Sequence, residues 1–268
     1  MKRIYSLFLI TAILFACTPQ KIVTTQTIQG PGLVIDGKLY ASAFMQRAAE
    51  YHALCLQAFN IAHWRLDEIL RSNANSKPKA IITDLDETIL DNSEDEVHRD
   101  LQGKQFDPVE WNKWTAMAAA DTIPGGYSFL KYAASKGVEI FYITNRDEKD
   151  REGTLKNLQK FKFPNADNTH LLVRQNTSSK EVRRQQVIAD HDVVMLMGDN
   201  LSDFSSLWDK KTMKERLENV EQQSSMFGSR FIVLPNPIYG DWESVMYQYK
   251  PLTPVQKDSA VRSLLKGY

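Results

Sequence analysis

Read for the spacing of hydrophobic and polar positions, the chain changes rhythm several times. Over residues 40–73, Phe44, Ala48, Tyr51, Cys55, Ala58, Phe59, Ala62 and Leu66 recur at three- and four-residue steps, which predicts a long N-terminal helical segment with one apolar face. From residue 79 short continuous apolar runs take over: Ala80–Thr83, Val138–Ile143, His170–Val173, Val193–Met197 and Phe231–Leu234. Such runs suit strands buried on both faces. Amphipathic stretches at about 126–136, 149–161, 178–190 and 211–224 separate them and predict helices. The alternation predicts an α/β fold, a doubly wound parallel sheet in which ligands bind beyond the carboxyl ends of the strands.

Residues 91–123 interrupt this alternation. They are rich in Asp, Gln, Trp and Met, show no strand pattern and lead into Pro124-Gly125-Gly126. An insertion of this length at the ligand edge predicts a small, mostly helical cap on a domain spanning 40–268.

The first residues follow another pattern again. Lys2 and Arg3 precede an apolar run from Ile4 to Ala16, which predicts a signal peptide over 1–16. The run is shorter than the roughly 20 apolar residues a membrane span needs. Leu14-Phe15-Ala16-Cys17 resembles a bacterial lipobox, whose Cys is acylated on sulfur and becomes the mature N-terminus; Phe15 is bulkier than the pattern usually carries. The expectation is an exported, lipid-anchored protein of the cell envelope, at an outer membrane or periplasmic face. Its bilayer partner is held through Cys17, and residues 17–39 form a polar tether. Cys55, the second of two cysteines, then has no disulfide partner and is expected to be a buried thiol.

Composition adds one exclusion. With 33 Lys+Arg against 33 Asp+Glu and 43% apolar residues, the chain is ordinarily globular and lacks the basic excess that a nucleic-acid polymer would require. A local charged site is not excluded, and polar residues gather where the strands end. The first strand runs into Asp84-Leu85-Asp86-Glu87-Thr88, the second into Thr144-Asn145-Arg146, and the fourth into Gly198-Asp199-Asn200-Leu201-Ser202-Asp203, while Lys180 opens the helix after the third. Carboxylates converging on one point repel and call for a cation. An all-oxygen set without His or Cys favours a hard ion, Mg²⁺, which shares its shell readily with phosphate oxygens. Thr144 through its hydroxyl, Asn145 through its backbone N–H, Arg146 and Lys180 are candidate contacts to a phosphomonoester substrate.

The DxDxT box (Asp84, Asp86, Thr88), the Thr144 box, the Lys180 box and GDNxxD (Asp199, Asp203) resemble, in order, the haloacid dehalogenase superfamily of phosphohydrolases. DLDETILDNS at Asp84–Ser93, YITNR at Tyr142–Arg146, GDNLSDF at Gly198–Phe204, Leu234-Pro235-Asn236, Tyr239–Glu243 and Gln57–Asn60 narrow the resemblance to the class C (DDDD-type) acid phosphatases of the lipoprotein e family. Four boxes in order, each after a predicted strand, are far more specific than DxDx[TS] alone.

The resemblance implies Mg²⁺-dependent hydrolysis of phosphomonoesters, with 5′-nucleotides as the substrate class. Asp84 would be the nucleophile, and Asp86 the acid for the leaving alkoxide and then the base for water. Mg²⁺ would be held by Asp84, the Asp86 backbone carbonyl and Asp199, supported by Asp203; Lys180 would neutralise phosphoryl oxygens and Thr88 would orient Asp86. An acid that must start protonated implies an acidic pH optimum. The family often carries more than one Lys in the third box, whereas Lys180 stands alone here with Arg174 as the alternative cation. Phe106, Trp111 and Tyr239, with Trp114 and Trp242 as further candidates, either stack on a base or pack the cap. Glu94-Asp95-Glu96 reads as a solvated face; Arg183-Arg184, one turn beyond Lys180, reads as a solvated helix face, with approach to an anionic substrate as the alternative. A lipid-anchored binding protein with this fold and little turnover is the competing reading, against which the intact Asp84, Asp86, Thr144, Lys180, Asp199 and Asp203 argue.

Overall fold

The computed structural model describes residues 32–72 and 77–268; the leader, Cys17 and the chain up to residue 31 lie outside them. The helix α1 (Leu33–Arg47) begins inside the stretch expected to be tether, and Ala48, with extended backbone, separates it from α2 (Ala49–Ser72). The apolar face of α2 buries Tyr51, Cys55, Phe59, Ala62 and Leu66, the periodic positions of the sequence. Burial pushes the Cys55 thiol up to about 11, which makes it an unreactive core residue.

The sheet contains β1 (Lys79–Thr83), β4 (Glu139–Ile143), β5 (Leu171–Leu172), β6 (Asp192–Gly198) and β7 (Phe231–Val233), ordered β5-β4-β1-β6-β7. Every pairing in it is parallel, with Ile81 opposite Ile140 on one side of β1 and Met195 on the other. The strand order reverses at β1: the chain first builds outward through β4 and β5, then returns to build β6 and β7. Such a reversal opens a crevice at the carboxyl ends of the central strands.

Alternating strand residues enter two different cores. Ile81, Ile140, Tyr142, Met195 and Ile232 pack with residues of α2, α5 (Gly126–Ser135) and α6 (Arg151–Lys160). Ala80, Ile82, Phe141, Ile143 and Val193 pack on the other face around Val187 of α7 (Glu181–Asp190). The doubly wound architecture expected from the alternation is therefore present.

Between β1 and α5 lies the insertion. It contains α3 (Ser93–Asp100) and α4 (Pro108–Met117), and it is clasped at its base by an antiparallel pair, β2 (Leu90–Asp91) and β3 (Asp121–Thr122), that the sequence pattern did not announce. Two-residue strands leave too short an alternation to read. The Asp107 side chain caps α4, accepting from the N–H groups of Val109 and Glu110, with Pro108 at the first helical position. Helix α8 (Met213–Gln222) is closed at its start by a Thr212–Glu215 capping box. A short helix, α9 (Asp241–Ser244), and a C-terminal helix, α10 (Pro254–Leu264), complete the chain. The Asp258 carboxylate of α10 accepts the N–H groups of Leu33 and Val34, so both ends of the described domain meet.

Candidate active site

Strands β1 and β6 end side by side. β1 delivers Asp84, β6 delivers Asp199, and the single turn Leu201–Asp203 folds back to present Asp203. One carboxylate oxygen from each of the three lies within 4.8 Å of the others. Gly198 permits this approach, since a Cβ there would stand 2.3 Å from Asp203 Oδ2. That Oδ2 accepts the Asn200 N–H at 3.0 Å, which leaves Oδ1 for Lys180.

Lys180 sits at the entry of α7 and bridges two carboxylates, with Nζ at 2.5 Å from Asp84 Oδ1 and 2.6 Å from Asp203 Oδ1. Arg174, the alternative cation, pairs instead with Asp147 at 2.9 Å. Asp199 accepts from Asn236 Nδ2 at 2.7 Å, and the Thr88 hydroxyl lies 3.4 Å from its other oxygen. Thr88, expected to orient Asp86, thus faces Asp199, because the turn at Glu87 (φ 55°) redirects the chain.

Three clustered carboxylates against one ammonium leave an excess of negative charge in a buried place. Burial, with Asp203 and Asp86 adding repulsion and Lys180 opposing, pushes the Asp84 carboxyl up to about 7. Burial and the neighbours Asp203 and Asp84 hold Asp199 well above the usual carboxylate range, against the Asn236 hydrogen bond. Burial works against the charge of Lys180, but Asp203 and Asp84 outweigh it and its pKa is raised. An all-oxygen donor set with uncompensated charge suits a hard divalent cation.

Asp86 lies beside this cluster in a second set of contacts. Arg146 donates to its Oδ1 through Nη2 at 2.7 Å and Nε at 3.0 Å, and Asn92 Nδ2 donates to the same oxygen at 2.9 Å. Arg146, expected to contact substrate, is buried, and its guanidinium hydrogen-bonds to Asp86, Asn92 and Thr154. Only its face remains, 5.4 Å from the Trp111 ring centroid.

Thr144 is fully buried and its Oγ1 accepts the Arg146 backbone N–H at 3.1 Å, while Asn145 is exposed beside it. Arg183 and Arg184 are not solvated, as their position on α7 suggested. Arg183 donates to the Thr144 carbonyl and to Asn145 Oδ1, and Arg184 to the carbonyls of Ser202 and Asp203. Each guanidinium has enough donors to tie one loop of the site to α7. Asp95 and Glu96 are also buried, paired with Arg99 on α3.

A cavity of about 320 Å³ opens next to Asp86. Asn145 and Arg146 line it on one side, and Phe106, Trp111 and Tyr239 on others. Phe106 and Trp111 stand with ring centroids 6.2 Å apart. Trp114 instead turns away to donate its Nε1–H to Asn92 Oδ1 at 2.8 Å, and Trp242 donates to the carbonyls of Asn236 and Tyr239. Asn92 and Asn236 are site residues to which the sequence assigned no role, and Arg183 one that it placed on a solvated face or near an anionic substrate. The two asparagines fall inside quoted boxes, the only local signal they carry, and the signal for Arg183 is its place one turn beyond Lys180.

Carboxylates at paired strand ends, a bridging Lys and a cap over the crevice define a phosphohydrolase of haloacid dehalogenase architecture. The chain belongs to the family described as HAD superfamily, subfamily IIIB (acid phosphatase), which matches residues 10–242. It is similar to the class C acid phosphatase of Bacillus anthracis, with a TM-score of 0.84 and 39% identity over 88% of this chain and 99% of that one. The tungstate-bound structure of that enzyme aligns equally well, at 39% identity over 87% and 98% of the two chains. The protein is therefore a phosphomonoesterase of the class C acid phosphatase type.

Proposed function

We propose that this phosphatase is Mg²⁺-dependent, proceeds through an aspartyl-phosphate on Asp84 and acts on 5′-nucleoside monophosphates outside the cytoplasm. The observation that carries the reading is the adjacency of the buried Asp84–Asp199–Asp203–Lys180 cluster to a cavity walled by Phe106, Trp111 and Tyr239.

Asp84 and Asp199 supply carboxylate oxygens for the ion, with the Asp86 carbonyl as a further ligand and Asp203 in support. When bound, the ion offsets carboxylate repulsion and charge on the transferring phosphoryl group. Asp84 Oδ attacks phosphorus in line while the bond to the leaving oxygen breaks, and Asp86 gives its proton to that oxygen. Water then attacks the aspartyl-phosphate, Asp86 takes its proton, and phosphate and Asp84 are regenerated. Lys180 keeps an ammonium beside the phosphoryl oxygens, and the Thr144 hydroxyl and Asn145 N–H complete their cradle. Tungstate, the oxyanion held by the Bacillus anthracis relative, is a tetrahedral dianion like phosphate, which supports a phosphoryl site in this family.

Phe106, Trp111 and Tyr239 hold the nucleobase, each stacked ring adding about 1–3 kcal/mol. Cys17 carries the lipid that retains the enzyme at the envelope, and Cys17→Ser moves it from the membrane fraction to the soluble one.

Phosphate release measured across pH, with and without EDTA, tests the reading on 5′-AMP, 3′-AMP, 4-nitrophenyl phosphate and a sugar phosphate. The expected result is Mg²⁺-restored release, fastest with 5′-AMP and at acidic pH. Release that survives EDTA overturns the metal requirement; equal rates across the panel overturn the nucleotide preference.

A further inference from the structure

The contacts around Asp86 extend well beyond it, and they end in the cap. Two hydrogen-bonded paths leave the Asp86 carboxylate. The first passes through Asn92, whose Nδ2 donates to Asp86 Oδ1 at 2.9 Å and whose Oδ1 accepts the Trp114 indole N–H of α4 at 2.8 Å. The second passes through Arg146, whose Nη1 donates to Thr154 Oγ1 at 3.0 Å; Thr154 in turn donates to the Asp150 carbonyl at 2.8 Å. Asp150, 2% exposed, accepts through Oδ1 from both Asn112 Nδ2 at 2.6 Å and Thr115 Oγ1 at 2.7 Å, again on α4. Arg146 Nη2 closes the ring by reaching Asn92 Oδ1 at 3.3 Å.

Every residue between Asp86 and α4 is buried or half-buried, and each makes contacts that leave it little freedom to swing. The two helices concerned also touch at backbone level: a Cβ on Gly153, in the first turn of α6, would stand 2.2 Å from the Thr115 carbonyl oxygen. The cap helix is thus bolted to the loop that carries Arg146, and Arg146 and Asn92 together hold one face of Asp86.

We infer that Trp114 and Thr154 are positioning residues for proton transfer: through Asn92 and Arg146 they convert the seating of cap helix α4 into the orientation of the Asp86 carboxyl toward the leaving oxygen. The inference deepens the role of Asp86 proposed above and rests on it. The chemistry gives it a specific consequence. A proton is needed where an alkoxide departs, as from a 5′-nucleotide, and is dispensable where the leaving group is a stable anion, as with 4-nitrophenolate. A misoriented acid therefore slows the first substrate and spares the second. A general loosening of the fold slows both alike.

The test compares Trp114→Phe, Thr154→Val and Asp86→Asn with the unaltered enzyme, using 5′-AMP and 4-nitrophenyl phosphate. kcat/KM is the readout, because it reports the steps up to loss of the leaving group. Thermal melts of each variant establish that it is folded. Asp86→Asn is expected to lower kcat/KM for 5′-AMP at least 100-fold more than for 4-nitrophenyl phosphate. Trp114→Phe and Thr154→Val are expected to show the same selectivity, at 5- to 30-fold, with KM for 5′-AMP changed less than 3-fold. Equal losses on the two substrates, or no loss, in both variants while Asp86→Asn keeps its selectivity overturn the positioning role alone. Equal losses in Asp86→Asn itself overturn the acid assignment beneath it.

Discussion

The two halves of the active site are built by different means. The Asp84–Asp199–Asp203–Lys180 cluster hangs from the ends of β1 and β6 and the entry of α7; Lys180 bridges two of its three carboxylates, and the neutral donors Asn236, Thr88 and Asn200 supply the other contacts. Asp86, two residues from Asp84, is held instead by neutral or cationic groups from a loop and the cap: Arg146, Asn92 and, behind them, Thr154 and Trp114. The first half is electrostatically unsatisfied and suits an ion that arrives from outside. The second is satisfied by hydrogen bonds and suits a side chain that must stand in one orientation while its proton comes and goes. Asp84 and Asp86, the proposed nucleophile and acid, stand two residues apart yet in these unlike surroundings because different elements of the fold pack against each.

That contrast can be broken at its strongest point first. Asp84→Asn keeps the packing and removes the attacking charge, so phosphate release is expected to fall at least about 10³-fold while the melting temperature stays near that of the unaltered enzyme. Substantial residual turnover would remove Asp84 from the role of nucleophile. Lys180→Met takes the bridging cation from two buried carboxylates. It is expected to destabilise the metal-free protein by about 3–5 kcal/mol, measured by denaturant unfolding, with Mg²⁺ recovering part of the loss.

A smaller effect probes the cap side. Gly153→Ala forces a methyl group onto the Thr115 carbonyl, costing about 1–3 kcal/mol and lifting α4. Unfolding measures the cost, and activity on 5′-AMP is expected to drop more than activity on 4-nitrophenyl phosphate.

An effect of comparable size is a pH dependence on the cluster side. Asp84 holds its proton in the folded, metal-free chain up to about pH 7, whereas the unfolded chain releases it near the ordinary carboxylate value. The folded state binds more protons between these values, so metal-free stability falls as pH rises from about 4 to about 7. Melts in EDTA at pH 5 and pH 7 are expected to show this loss, and Mg²⁺ is expected to stabilise more at pH 7 than at pH 5. No difference between the two pH values would mean that the cluster is less strained than its burial implies.

Much of this arrangement was legible in the chain. The strand runs from residue 79 onward, the helices between them and the periodic face of α2 all reappear within a few residues of their expected bounds, because each depends on local spacing. The short clasp β2–β3 and the helix α1 inside the supposed tether were not, because two residues show no alternation and the onset of a helix leaves few periods to count. Arg183 and Arg184 illustrate another limit. A pair of arginines on an amphipathic helix reads as solvated, and only the arrival of the Thr144 and Asp203 loops supplies the carbonyls that bury it.

The sequence by itself determined which groups could do chemistry. Asp84, Asp86, Lys180, Asp199 and Asp203 stand in boxes that follow predicted strands, and a parallel sheet brings its strand ends together whatever the details of packing. Tertiary structure alone decided what each of them touches. Arg146 reaches Asp86 across 60 residues of chain and Asp150 meets Thr115 across 35, separations at which no local pattern constrains a contact. Those partners depend on where the cap settles on the sheet, and that is a matter of side-chain volumes, of a glycine that admits a backbone, and of buried donors finding acceptors.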